Sequence, residues 1–162
     1  MSAELTIKVS LADDHKIFRD GIKMALKNKD YLKILWEAED GRDLMHKMQL
    51  KKPDVLLMDI RMPEIDGVNA IGMLRKEYDD VRIIVLTMYD DQEMITKMME
   101  MGANAYLTKT SDPEEIYQAI LACMNEDFYF NDLVNKAVLS KLQTKKAVRQ
   151  YYPNPVKFSE KE

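Results

Sequence analysis

Cysteine is almost missing from this 162-residue chain. The single Cys123 rules out an internal disulfide framework and any metal cluster built on cysteines. It follows Ile120-Leu121-Ala122, where a thiol reads as a small core hydrophobe. Glycine is scarce, with five residues, and Asp13-Asp14-His15 stands where a dinucleotide-binding domain needs a glycine-rich turn. No apolar run approaches the roughly 20 residues of a membrane span, and the N-terminus lacks a secretory pattern. With the lone cysteine, this predicts a reducing cytoplasm and no membrane contact. An excess of one charge is lacking too: 24 Lys+Arg against 28 Asp+Glu leave −4, so the main body has no basic footprint for nucleic acid. Internal repeats and low-complexity runs are absent.

What is present is one domain's length of chain with an appendage, 46% hydrophobic, an ordinary fraction for a globular core. The 13 methionines are mostly core filling. The stretch that organises the rest is Val55-Leu56-Leu57-Met58-Asp59. Four apolar residues in a row predict a strand buried on both faces, and the run ends at a carboxylate. Pro63 and Asp66-Gly67 then turn the chain into a helix carrying Ile71, Leu74 and Tyr78.

Four more strands have the same design. Leu5–Leu11 alternates, which predicts a strand but also one wet face, at odds with a central position. It leads into Asp13-Asp14-His15 and a helix through Phe18, Ile22 and Leu26. Leu32–Ala38, Val81–Thr87 and Asn104–Lys109 are the others, each followed by helical spacing. Gly102 closes one helix. Asp112-Pro113-Glu114-Glu115 opens another with an N-cap aspartate and a first-turn proline. Five strands each followed by a helix predict a parallel α/β sheet with helices on both faces.

A parallel sheet puts every carboxyl end on one edge, where ligands bind. Asp13, Asp14, Asp59, Thr87 and Lys109 all fall there. Strands lie about 5 Å apart, so these side chains can meet. Each close carboxylate pair costs roughly 4 kcal/mol at 4 Å and an effective dielectric near 20. Lys109 offsets part of that, and a hard divalent cation, magnesium above others, offsets the rest. Taken singly each residue has a plainer role: Asp14 a helix cap, Thr87 a strand-end hydroxyl, Lys109 a solvated lysine, His15 an exposed first-turn histidine and His46 a surface residue. The joint pattern carries the functional reading.

That pattern resembles a bacterial response-regulator receiver domain over roughly residues 5–126. The residues that carry it are Asp13-Asp14, Asp59-Ile60-Arg61-Met62-Pro63, Asp66-Gly67, Leu86-Thr87, Gly102-Ala103-Asn104-Ala105-Tyr106 and Lys109. The run from Leu86 to Asp91 and the tail are similar to the NarL/FixJ subfamily, whose effector is a LuxR-type helix-turn-helix. The resemblance implies a flavodoxin-like fold with strand order 2-1-3-4-5. It implies Asp59 as phosphoacceptor from a sensor histidine kinase. Magnesium would be held by Asp13, Asp14, Asp59 and the backbone carbonyl of Arg61, and phosphoryl oxygens by Thr87 and Lys109. Thr87 and Tyr106 would be the switch pair, Tyr106 turning inward as Thr87 moves. On this reading the chain catalyses only its own phosphorylation and dephosphorylation and dimerises once phosphorylated.

Two departures stand out: Lys109-Thr110 replaces a frequent Lys-Pro, and Met88 follows the switch threonine as a possible crowding group. A haloacid-dehalogenase-like phosphatase would need an aspartate where Arg61 stands. A free-standing receiver acting by protein contact is the alternative within the family. The methionine stripe Met94, Met98, Met99 and Met101 and the first and fifth helices are rival self-association surfaces.

The domain is expected over 1–127. Phe128-Tyr129-Phe130 then precedes a linker helix over 128–152, capped by Asn131 or Asp132, with Val134, Val138 and Leu142 on one stripe. Pro153-Asn154-Pro155 reads as a linker. Phe158-Ser159-Glu160-Lys161-Glu162 has the form of a capping box that announces the first helix of a further DNA-binding domain.

Overall fold

The structure is a computed structural model that describes residues 6–151, with the side chains of Ile65 and of residues 145–151 outside that description. The five expected sheet strands form: β1 Ile7–Ala12, β2 Leu32–Ala38, β3 Val55–Met58, β4 Arg82–Thr87 and β5 Ala105–Thr108. Between them run α1 Lys16–Leu26, α2 Gly41–Leu50, α3 Gly67–Glu77 and α4 Gln92–Met101, with α5 Pro113–Glu126 and α6 Asp132–Tyr151 after the last strand. All four neighbouring pairs are parallel, in the order β2-β1-β3-β4-β5. An antiparallel ribbon of Arg61–Met62 with Ile65–Asp66 closes the turn after β3.

The pleat sends alternate strand residues into two cores. Leu56, Met58, Ile83, Val85 and Tyr106 face α2, α3 and α4. Val9, Leu11, Leu57, Ile84 and Leu107 face α1 and α5, and Cys123 lies among them with burial pushing its thiol up to about 12. It is the small inert hydrophobe its sequence context predicts.

β1 resolves the conflict in its own pattern. It lies between β2 and β3, and its last four residues are buried. The polar member of the alternation, Ser10, is therefore fully buried and its hydroxyl has no partner among the described residues. Replacing an unsatisfied hydroxyl by a methyl removes a desolvation penalty. Ser10→Ala should gain about 1 kcal/mol in urea unfolding. A loss of that size would mean that the hydroxyl is bonded in solution.

Helix caps hold the loops that lead to the carboxyl edge. The side chains of Asp40, Asp66, Asp91 and Asp112 each accept from a first-turn amide of the next helix. α1 differs: His15 stands at its N-cap and makes no capping bond, so Asp14 is not the cap its position suggested. Gly67 must be glycine, because a Cβ there would fall 2.6 Å from the Ile60 Cα. That contact brings Gly67 N to the Ile60 carbonyl at 2.7 Å and folds the loop back on Asp59.

A helix, α6, forms where one was expected after the aromatic run, and it is capped by Asn131 Oδ1, which accepts from Val134 N at 3.0 Å. Its stripe differs from the expected one. Val134 and Ala137 are buried, whereas Val138 and Leu142 are 42% and 57% exposed. The reason is its seat across α4: among the described side chains of α6, those of its first turns reach the core, and the buried pair lies there. The methionines of α4 are correspondingly occupied. Met98 is buried, and Met94, Met99 and Met101 pack against the same core. The segment from Pro153 to Glu162, including its capping box, lies outside the described residues.

Candidate functional site: an acidic pocket at the carboxyl edge of the sheet

The edge assembles by backbone continuation of the ladder. Asp13 N donates to the Ala38 carbonyl at 3.0 Å, Asp59 N to that of Ala12 at 2.9 Å, and Lys109 N to that of Thr87 at 2.7 Å. β1, β3 and β5 thus each hand their first post-strand residue to the same rim, and β4 brings its last residue, Thr87. Asp13, Asp59 and Thr87 are the buried polar side chains there. Asp14 is exposed and lines an open groove with Arg61, Pro63, Asp66 and Asn69.

Carboxylate oxygens of Asp13, Asp14 and Asp59 and a ring nitrogen of His15 lie within 4.8 Å of one another. Lys109 Nζ bridges the two buried carboxylates, 2.6 Å from Asp13 Oδ2 and 2.9 Å from Asp59 Oδ2. Burial opposes its charge, but hydrogen bonds to Asp13 and Asp59 outweigh that and hold its pKa above the usual lysine value. The solvated lysine of the plainer reading is therefore excluded: this side chain is 6% exposed and its Nζ lies 4.6 Å from the Phe18 ring centroid. Asp59 Oδ1 also accepts from Arg61 N at 3.1 Å, which fixes the acceptor's rotamer.

Three carboxylates against one ammonium leave the pocket short of positive charge. Their oxygens are hard donors of the kind that hold magnesium. Asp13, Asp14 and Asp59 fit such an ion, and Arg61 borders the same groove as Asp14.

Other expectations meet specific geometry. Thr87 is fully buried, with Oγ1 3.5 Å from Tyr89 N. Tyr106 is also fully buried, and its phenol donates to the Tyr89 carbonyl at 2.5 Å. It already holds the inward position. No cis peptide bond occurs among the described residues, so Lys109–Thr110 is trans. Met88 does not crowd the pocket, because it is 61% exposed to solvent.

Three contacts were not legible in the sequence. His15 Nδ1 lies 3.0 Å from both Lys109 Nζ and Asp13 Oδ1, and its tautomer decides which it pairs with. Arg19 donates to the Asp13 carbonyl at 2.5 Å and is anchored by Glu37 on β2 at 2.9 Å. The Arg61 guanidinium stacks 4.1 Å from the Tyr89 ring centroid, joining the loops after β3 and β4. An arginine four residues into a helix after an acidic pair gave a weak signal for the second. The stack depends on two loops far apart in sequence and had none.

Five parallel strands in this order, with a buried aspartate, two further carboxylates, a hydroxyl and a lysine on one edge, define a doubly wound α/β domain of the receiver type. The chain belongs to the response regulator receiver domain family, whose profile matches residues 9–121. It is 35% identical over 117 residues to the transcriptional regulatory protein DegU of Brevibacillus brevis, covering 72% of this chain and 50% of that protein. It is 33% identical over 141 residues to the response regulator UvrY of Escherichia coli strain K12, covering 86% and 65%. The solved structure of a LuxR-family two-component response regulator from Aurantimonas sp. SI85-9A1 superposes with a TM-score of 0.78 at 28% identity, covering 84% of this chain and 97% of that one. The chain spans about half the length of the first curated relatives it matches. No helix among the described residues is long and apolar enough to cross a membrane.

Proposed function

We propose that this receiver accepts a phosphoryl group on Asp59 from the phosphohistidine of a sensor kinase and uses it to control a DNA-binding effector joined after α6. The observation that carries this reading is the Lys109 ammonium bridging the buried carboxylates of Asp13 and Asp59. An Asp59 oxygen attacks phosphorus, the bond from phosphorus to the donor nitrogen breaks, and the imidazole leaves neutral, its other ring nitrogen carrying a proton taken from solvent. The step asks for alignment and charge neutralisation rather than general acid–base work. Asp13, Asp14, Asp59 and the Arg61 carbonyl would hold magnesium. Bound there, the ion supplies positive charge against the phosphoryl oxygens. Lys109 supplies a second cation to those oxygens, and Thr87 a hydroxyl donor once its Oγ1 swings toward Asp59. The chain processes no separate substrate: hydrolysis of its own acyl phosphate resets it.

Incubation with acetyl phosphate and magnesium should yield a hydroxylamine-labile phosphoryl adduct, seen by intact mass. Adduct formation unaffected by a chelator would remove magnesium from the reading.

Dimerisation on phosphorylation belongs to the same proposal. Ile17 and Met24 on α1 are 89% and 78% exposed, while the α4 methionines are packed. This favours the α1 side as the self-association surface. Sedimentation with beryllofluoride, a phosphoryl analogue, should shift the parent from monomer to dimer and leave Ile17→Asp monomeric. A dimer in both, or a monomer in both, would refute that surface.

A further inference from the structure

α6 is fastened to two parts of the receiver at once. In the segment that leads into α6, Asn131 Nδ2 donates to the Tyr106 carbonyl of β5 at 2.8 Å, and Tyr129 N donates to the carbonyl of Asn104, just before β5, at 3.1 Å. β5 is the outer strand, so these contacts satisfy carbonyls on its free edge. On α4, Glu100 is ion-paired with Lys141 of α6. Between the two anchors Val134 and Ala137 are 0% and 1% exposed, in one apolar cluster with Tyr106, Ile95 and Met98.

Tyr106 links this seat to the pocket. Its ring is held by the Tyr89 carbonyl, and Tyr89 is two residues beyond Thr87. A ring leaving its buried position on an outer strand swings past the sheet edge, and α6 lies along that edge. A docked α6 and an outward Tyr106 therefore compete for one space.

We propose that the surface formed by α4 and β5 binds the chain's own α6, and that this docked helix latches Tyr106 inward and so couples the linker to the state of Asp59. The proposal rests on the receiver reading, in which a phosphorylated Asp59 draws Thr87 toward it and favours the packing with the ring inward. Both events favour one packing, so each strengthens the other: coupling between two binding events is reciprocal. Phosphorylation tightens α6, and α6 raises the affinity of the pocket for a phosphoryl group. The linker is thereby ordered, not released, by the signal.

Hydrogen exchange on the 162-residue chain with magnesium, with and without beryllofluoride, tests this. The amides of 132–144 should exchange on the order of five-fold more slowly with the analogue. Val134→Asp should weaken analogue binding by a similar factor. Lys141→Ala, which removes the ion pair to Glu100 and leaves Val134 and Ala137 in place, should weaken it in the same direction by less. If the analogue protects residues 55–67 while exchange in α6 stays the same or quickens, the latch is refuted. It is equally refuted if both variants bind the analogue as tightly as the parent. If the analogue protects neither segment, the receiver reading fails and the latch falls with it.

Discussion

Asp59→Asn should form no phosphoryl adduct with a small phosphodonor, while Asp13→Asn and Asp14→Asn should keep the acceptor and lose its metal dependence. The three carboxylates are not equivalent. Asp59 ends the central strand β3, is buried, and has one oxygen fixed by Arg61 N and the other by Lys109. An amide in its place is no nucleophile toward phosphorus, so the expected loss is complete. Asp13 shares Lys109 but is set back on β1, and Asp14 opens toward the groove. Removing either should lower magnesium affinity by at least the roughly 10–100-fold that loss of an outer-shell partner causes at metal sites. Intact mass with and without hydroxylamine reads the first effect, and calorimetric titration of magnesium reads the second. An adduct of undiminished yield in Asp59→Asn would overturn the acceptor assignment. Unchanged magnesium affinity in both of the other variants would remove them from the metal set.

Lys109→Met should be the most destabilising polar substitution in the pocket when no metal is added. The side chain keeps an unbranched apolar stem but loses the ammonium that sits over the Phe18 ring and between two buried carboxylates. Breaking a buried pair on one side leaves uncompensated charge, at about 3–5 kcal/mol. The pocket opens to solvent past Asp14, so the lower end of that range is expected. Magnesium should stabilise the variant more than the parent, because it takes up the carboxylates that Lys109 no longer serves. The pH dependence has a defined sign. Burial lowers the Lys109 pKa, but the bonds to Asp13 and Asp59 raise it further, to a net value above the usual 10.5. Its stabilising contribution is therefore fully present below that pH and disappears as the pH rises through the folded value. The parent should lose stability there, and the methionine variant should not lose that component. Urea unfolding across pH, with and without magnesium, measures both. A loss under 1 kcal/mol with equal magnesium stabilisation would show that this charge does not hold the carboxylates together.

Much of this was readable from residues alone, and the reason is periodicity. Val55–Met58 ending at Asp59 can only be a buried strand with a carboxylate at its mouth. Five strands alternating with helices then force all the mouths to one side. Asp13, Asp59, Thr87 and Lys109 had to converge for that reason, whatever the details of packing. Local signals were legible too: Asp112 before Pro113, Asp66 before Gly67 and Asn131 before α6 all cap as their types predict.

What the tertiary structure alone decided concerns pairings between distant segments. The alternation of β1 predicted a wet face, yet its two neighbours in the sheet bury Ser10, because strand order is a property of the whole chain and not of six residues. A helical stripe says which residues share a face, but not how far along it a neighbour reaches. Hence Val134 is buried and Val138 and Leu142 are not. The same holds for Lys109, whose type alone suggests solvent and whose place between Asp13 and Asp59 makes it the pocket's counter-charge. The Arg61–Tyr89 stack and the seat of α6 over Tyr106 likewise arise only once loops and helices separated by tens of residues are brought to one edge.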